Sequence, residues 1–235
     1  MRFTEEYQER GDKQNLPLRN GGTYENLMGV QHHAAGDCQT IKLTLQQQRS
    51  GLLDRVVMEQ DRNRIELGIA FPVEESIGAF DQVMQLGENI SCHCYAFVEN
   101  LNTPENYDVE LEAFFKLIID DYKPDILHVF GTEFPHTLAA VKVFDQPERT
   151  LIGIQGLVSA CAKVYMADLP MKVQRQTTFR DMIRQDSLRQ QQKKFEKRGE
   201  YEIEAIKRVN HIAGRTDFDR TETGKINPDA TYHYL

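Results

Sequence analysis

With 235 residues the chain can bury a sizeable core, as one large domain or two small ones. Its formal net charge of −8 argues against a general nucleic-acid binder, and no apolar run nears the roughly 18 residues that a bilayer crossing needs. The N-terminus MRFTEEYQER is no signal peptide and the four cysteines show no C-x-x-C spacing, so a reduced, cytoplasmic protein is expected.

Residues 1–49 are rich in turn formers, have no clear period and carry few apolar side chains, which predicts an irregular segment. Only TIKLTL (40–45) alternates like a short strand. From Ser50 the pattern becomes globular. SGLLDRVVMEQ has apolar residues at 52, 53, 56 and 57, the spacing of a helix capped by Ser50. IELGIAF (65–71) predicts a strand stopped by Pro72, and ISCHCYAF (90–97) predicts another. In that second strand Cys92 and Cys94 share one face while His93 points to the other, which suits two buried small side chains better than a zinc site.

DVELEAFFKLIIDDY (108–122) predicts an amphipathic helix capped by Asp108, and DILHVF (125–130) a buried strand. PHTLAAVKVF (135–144) is a helix with Pro135 in its first turn, and RTLIGIQG (149–156) a strand ending in Gly. A long polar helical region fills 170–208, broken near Gly199. VNHIAG (209–214) is a final buried strand, and TDFDRTETG opens a helix with Thr216 as its cap. Strand and helix alternating at this rhythm predict an α/β fold, a Rossmann-like parallel sheet with helices on its faces.

In such sheets ligands bind beyond the carboxyl ends of the strands. Three strand ends carry a Gly followed by hydroxyls or amides: FGTEFPH, IQGLVS and GRTDFD. The candidate residues are therefore Gly131, Thr132, Glu133 and His136 in the first turn, Gln155 and Gly156 in the second, and Arg215 and Thr216 in the third. Glu133 and His136 have the chemistry to orient an acceptor hydroxyl or take its proton. Gln155 can donate and accept hydrogen bonds to sugar hydroxyls, and the Arg215 fork can bind a phosphate. Each has a plainer reading. Glu133 favours the positive end of a helix, Thr132 caps it, Gln155 satisfies a loop, and Arg215 pairs with Asp217 or Asp219.

The stretches PDILHVFGTEFPHTLA, RTLIGIQGL, FRDMIRQDSLRQQQKKFEKRGEYEIEAIKRVNHIAGRTDFDR and INPDATYHY resemble the N-terminal domain of family 4 glycosyltransferases. The resemblance covers about residues 50–235 and implies one half of a GT-B architecture, two Rossmann-like domains facing across a cleft. It implies sugar transfer from a nucleotide-sugar donor to a sugar or lipid-linked acceptor, with retention and without metal or other cofactor. Residues 50–235 would be the acceptor-side domain. The donor domain, with its basic residues and glutamate pair, is expected to be missing, leaving this chain alone inactive. Many members carry an H-x-H pattern before the first rim turn, but here His128 is followed by Val129 and Phe130. His128 is either a cleft residue or a packed strand histidine. The family's apolar first strand has no convincing counterpart in residues 1–49, so the sheet is expected to lack it.

Residues 172–198 hold nine basic side chains against Asp181, Asp186 and Glu196, a local charge of +6 on an acidic protein. They form either a solvated helix face or an attraction for an anionic membrane surface or a phosphate-bearing acceptor. The rival to the enzyme reading is a non-enzymatic Rossmann-like module, a partner-binding or remnant domain. A nicotinamide oxidoreductase is disfavoured, since no G-x-G-x-x-G follows a strand.

Overall fold

The computed structural model describes residues 26–30, 66–85 and 91–235. Its strands are β1 (Asn26–Val30), β2 (Glu66–Val73), β3 (Phe80–Gln85), β4 (Ser91–Val98), β5 (Ile126–Phe130), β6 (Thr150–Gly153), β7 (His211–Gly214) and β8 (Thr231–Tyr234). The helices among the described residues are α1 (Glu110–Tyr122), α2 (His136–Phe144), α3 (Val158–Val164), α4 (Met171–Gln174), α5 (Phe179–Arg184), α6 (Leu188–Lys207) and α7 (Asp217–Ile226). The strands form one sheet in the order β3-β4-β2-β1-β5-β6-β7-β8, parallel throughout except for β3, which runs antiparallel to β4. The fold is α/β and Rossmann-like, as the alternation predicts.

The chain builds outward from β1 in one direction through β2 and β4, then crosses over through α1 to β5 on the other side of β1. That reversal is the topological switch point, where the carboxyl ends of neighbouring strands open a crevice for ligands.

β1 corrects the expectation that residues 1–49 give the sheet no first strand. It lies between β2 and β5, with Leu27 opposite both Leu67 and Ile126. NLMGV is five residues long and contains Asn and Gly, too short and mixed for a strand to be recognised by its apolar run. Pairing on both edges needs only its backbone. The rest of 1–49, TIKLTL included, and the helix expected at Ser50 lie outside the described residues.

Pro72 does not stop β2, which runs on to Val73 with Pro72 opposite Phe97 of β4. The pairing with β1 ends at Ala70, so beyond it the missing Pro72 N–H has no described ladder on that side to break. The flanking edges β3 and β8 have no counterpart in the predicted elements. FDQVMQ and TYHY mix polar and apolar residues without a long apolar run, as edge strands with one open side are free to do.

One face of the sheet presents Ala70, Tyr95, Phe97, Leu127, Val129, Ile152 and Ile212 to α1, α2 and α6 in a continuous core. The helix period supplies the other half: Leu111, Phe115, Ile118 and Tyr122 form the buried stripe of α1. On the opposite face Leu67, Ile69, Phe71, Cys92, Cys94 and Ala96 pack together. Cys92 and Cys94 thus behave as buried small side chains. Their mutual hydrogen bond, with burial, holds the Cys92 thiol well above its ordinary range and keeps it protonated.

The expected break near Gly199 is absent, and α6 continues through it for 20 residues. A Cβ on Gly199 would lie 2.9 Å from the Ser159 Cα and 3.1 Å from its Cβ. The glycine serves the close crossing of α6 over α3. Propensity and packing therefore predict opposite signs for Gly199→Ala. An exposed helix site would gain about 1 kcal/mol, whereas a clash with backbone costs about 1–3 kcal/mol. Urea unfolding of Gly199→Ala is expected to show a lowered midpoint.

Candidate functional site

β5, β6 and β7 are adjacent and parallel, so the turns that leave their carboxyl ends lie along one edge of the sheet. Two backbone bonds extend the pairing past the strand ends: Gly131 N–H donates to the Gly153 carbonyl and Ile154 N–H to the Ala213 carbonyl, both at 2.7 Å. The first turn is also nearest the switch point. Gly131 has φ of 90°, a left-handed conformation that lets the chain turn directly off β5 and that other residues rarely adopt.

Thr132 does not cap α2. It is buried, and its hydroxyl donates to Glu202 Oε2 of α6 at 2.5 Å and contacts the Gly156 carbonyl at 3.3 Å. The same carboxylate accepts the N–H groups of Val158 and Ser159, each at 2.9 Å, and the Ser159 hydroxyl at 2.5 Å. Glu202 therefore joins the first turn to the start of α3. Burial pushes its carboxyl above the usual range, opposed by the bonds from Ser159, Thr132 and Val158. One helical turn earlier on α6, Arg198 donates from Nε and Nη2 to the Glu133 carbonyl at 3.0 and 2.8 Å.

His136 is wholly buried at the start of α2, its Nδ1 2.5 Å from Glu99 Oε2. Glu99 follows β4 directly and is buried too, with Oε1 accepting no hydrogen bond among the described residues. The Phe97 ring meets His136 edge-on and Phe134 stacks parallel to it. A group expected to face a ligand is thus enclosed by aromatic rings and a carboxylate. His128 is enclosed as well. It stacks on Phe130 at 3.9 Å between ring centroids, its Nε2 makes no hydrogen bond among the described residues, and burial lowers its pKa to about 4. This is the placement of a packed strand histidine.

The remaining expected residues stay nearer solvent. Glu133 is half-buried, its Oε2 accepting the Thr132 N–H at 2.9 Å. Its Oε1 would sit 3.4 Å from a Cβ placed on Gly156, so the glycine leaves that carboxylate oxygen its room. Gln155 is exposed and Gly156 half-buried beside it. In the third turn Arg215 and Thr216 are exposed. The Thr216 hydroxyl accepts the Asp219 N–H, and the Asp219 carboxylate accepts the N–H groups of Arg215 and Thr216, a capping box on α7. Among the described residues the Arg215 guanidinium makes no ion pair; the expected partner Asp217 instead accepts from the Tyr234 hydroxyl at 2.5 Å.

The rim therefore sorts into two sets. Gly131, Thr132 and His136 are buried and committed to other parts of the protein, while Glu133, Gln155, Gly156, Arg215 and Thr216 border solvent. Glu99 and Glu202 escaped sequence reasoning, which placed Ser159 only in the IQGLVS turn and Arg198 only in the basic segment. For Glu202 a signal exists: with Gly199, Ala205 and Ile206 it falls on the buried stripe of α6, where a carboxylate must find donors. Neither the family models nor the curated proteins contain a match to this chain.

Glu202→Ala removes the acceptor of two buried N–H groups and is expected to cost about 3 kcal/mol. Glu202→Gln keeps one carbonyl acceptor and is expected to cost less. Equilibrium unfolding in urea ranks the two; equal stability of parent and Glu202→Ala would mean that α6 does not hold the rim.

Proposed function

We propose that this chain is the acceptor-side Rossmann-like domain of a retaining, family 4-like glycosyltransferase of GT-B architecture. Its rim then receives a sugar or lipid-linked acceptor across the cleft from a nucleotide-sugar donor. In that architecture the second domain binds the donor, and most of the rate comes from electrostatic stabilisation of the departing nucleotide phosphate. The chemistry is therefore proposed for the two-domain enzyme. This domain holds the acceptor, with Gln155 and Gly156 meeting its hydroxyls, Arg215 meeting any phosphate, and Glu133 aligning the attacking hydroxyl or taking its proton.

The observation that carries this reading is the position of the HVFGTEFPH turn. It leaves β5 at the switch point, and the IQGL and GRTDFD turns follow it along the same edge. Those are the segments in which the sequence most resembles the family. Titration calorimetry of the 235-residue chain against a panel of acceptor oligosaccharides tests it. Binding is expected, with Gln155→Ala and Arg215→Ala each weakening it at least tenfold at unchanged urea midpoint. Nucleotide sugars are expected to bind no better than millimolar. No glycan binding, or binding indifferent to both substitutions, supports the rival non-enzymatic module; micromolar nucleotide-sugar binding refutes the acceptor-side assignment.

The basic segment supplies a second partner. Within 164–183, Val164, Met171, Phe179, Met182 and Ile183 are exposed, Phe179 at 77% and Ile183 at 68%. Lys172, Arg175, Arg180 and Arg184 lie between and beside them, all exposed. Apolar side chains in water interleaved with cations suit shallow insertion into an anionic membrane surface. No described helix is long and apolar enough to cross a membrane, so any such attachment would be peripheral. Sedimentation with phosphatidylglycerol vesicles is expected to deplete the parent chain, and Phe179→Glu with Ile183→Glu to reduce that at least tenfold. Equal sedimentation of both proteins, or none with anionic vesicles, overturns the membrane assignment.

A further inference from the structure

We propose that Asp81, His93 and Asp121 form a divalent-cation site, best matched to Zn²⁺, at the end of the sheet opposite the rim. Three elements bring these residues together: Asp81 comes from the antiparallel edge strand β3, His93 from β4 and Asp121 from the last turn of α1. One ligand atom from each lies within 4.8 Å of the other two, so a single ion can touch all three. Ligands about 2.0–2.2 Å from a zinc ion fall within such mutual distances.

The hydrogen bonds around the imidazole carry the argument further. The Tyr95 hydroxyl donates its one proton to Asp121 Oδ2 at 2.8 Å. Its oxygen is 3.2 Å from His93 Nδ1, so Nδ1–H is the donor in that contact. A neutral ring with its proton on Nδ1 has a lone pair on Nε2, and Nε2 is the atom that meets Asp81 Oδ1. In direct contact the two atoms share a proton, since ligands of one metal ion sit about 3 Å or more apart. A divalent ion would take that proton's place, with the two side chains parting to admit it.

The surroundings favour the metal. His93 and Asp81 are 17% and 16% exposed, dry enough to strengthen a metal bond and open enough to admit an ion. Tyr95 stacks on His93 at 4.3 Å, and Tyr122 closes over both rings edge-on. Tyr95 also fixes the imidazole tautomer from behind, the usual arrangement behind a metal-bound histidine. One imidazole nitrogen with two carboxylate oxygens suits a first-row divalent ion, and zinc binds such sets tightly with water completing a tetrahedron.

The site lies away from the proposed chemistry. His93 pairs with Gly68 near the amino ends of β4 and β2, whereas the rim turns leave carboxyl ends. Its effect is to tie the edge strand β3 to β4 and to α1, so that the open side of the sheet is held in register.

The test uses the full chain, stripped with a chelator, desalted and titrated with ZnCl₂, with bound metal counted by mass spectrometry after gel filtration. One equivalent that resists gel filtration and a Tm raised by several degrees in saturating zinc are expected. His93→Gln, Asp81→Asn and Asp121→Asn are each expected to weaken binding at least tenfold and abolish the Tm shift. If one variant fails to fold, the other two still decide. Failure to bind zinc, binding and a Tm shift that survive all three substitutions, or an NMR spectrum showing Nε2 of His93 protonated in saturating zinc would each overturn the proposal.

Discussion

The rim of this protein depends on one buried carboxylate. A charge taken out of water is costly unless donors replace its hydration, and Glu202 receives four, from the Thr132 hydroxyl, the Val158 N–H and both donors of Ser159. The donors belong to the first turn and to the start of α3, and the acceptor to a helix that arrives in the chain about 40 residues after Ser159 and 70 after Thr132. None of the three segments can satisfy its polar groups alone. The first turn can therefore take its shape only when α6 has docked. Docking in turn needs Gly199, since any side chain there meets the Ser159 backbone.

This ordering explains why the first turn looked like a site and is largely a joint. Thr132 and His136 carry the residue types of a ligand pocket, and each is spent on a buried carboxylate, Glu202 on one side and Glu99 on the other. Arg198 adds a third tie through the Glu133 carbonyl, which leaves the Glu133 side chain at the edge of solvent. A turn fixed at three points is rigid, and rigidity is what a binding rim needs if its exposed groups are to meet a ligand without first being ordered. The buried residues hold the turn, and it presents Glu133, with Gln155 and Arg215 exposed on the two turns that follow along the edge.

Much of the fold could be read from residue patterns, because the strands buried on both faces write their apolar runs plainly. IELGIAF, ISCHCYAF, DILHVF and VNHIAG each overlap a strand, at 66–73, 91–98, 126–130 and 211–214. What the patterns conceal has a common cause: the decisive partner is distant in sequence. NLMGV is a strand because β2 and β5 flank it, and FDQVMQ because β4 needs an edge partner. Gly199 reads locally as a helix breaker, yet Ser159 makes it a contact point. Thr132 reads as a cap, yet Glu202 claims its hydroxyl. In each case local propensity gave one answer and tertiary contact another, and contact won because burial energies exceed propensities of about 1 kcal/mol.

The two ends of the sheet then divide the polar chemistry between them. At the carboxyl edge the buried acids are matched with hydroxyls, backbone amides and one imidazole, all groups that fix geometry without needing an ion. At the amino edge Asp81, His93 and Asp121 converge, with His93 Nε2 against the Asp81 carboxylate. Proton donors complete the first arrangement, and the proposed cation would complete the second. A sheet anchored at its far edge by an ion and at its rim by Glu202 would hold β5, β6 and β7 in fixed register. The exposed turns could then differ in sequence and in ligand while the frame beneath them stays the same, which is how one fold serves many ligands.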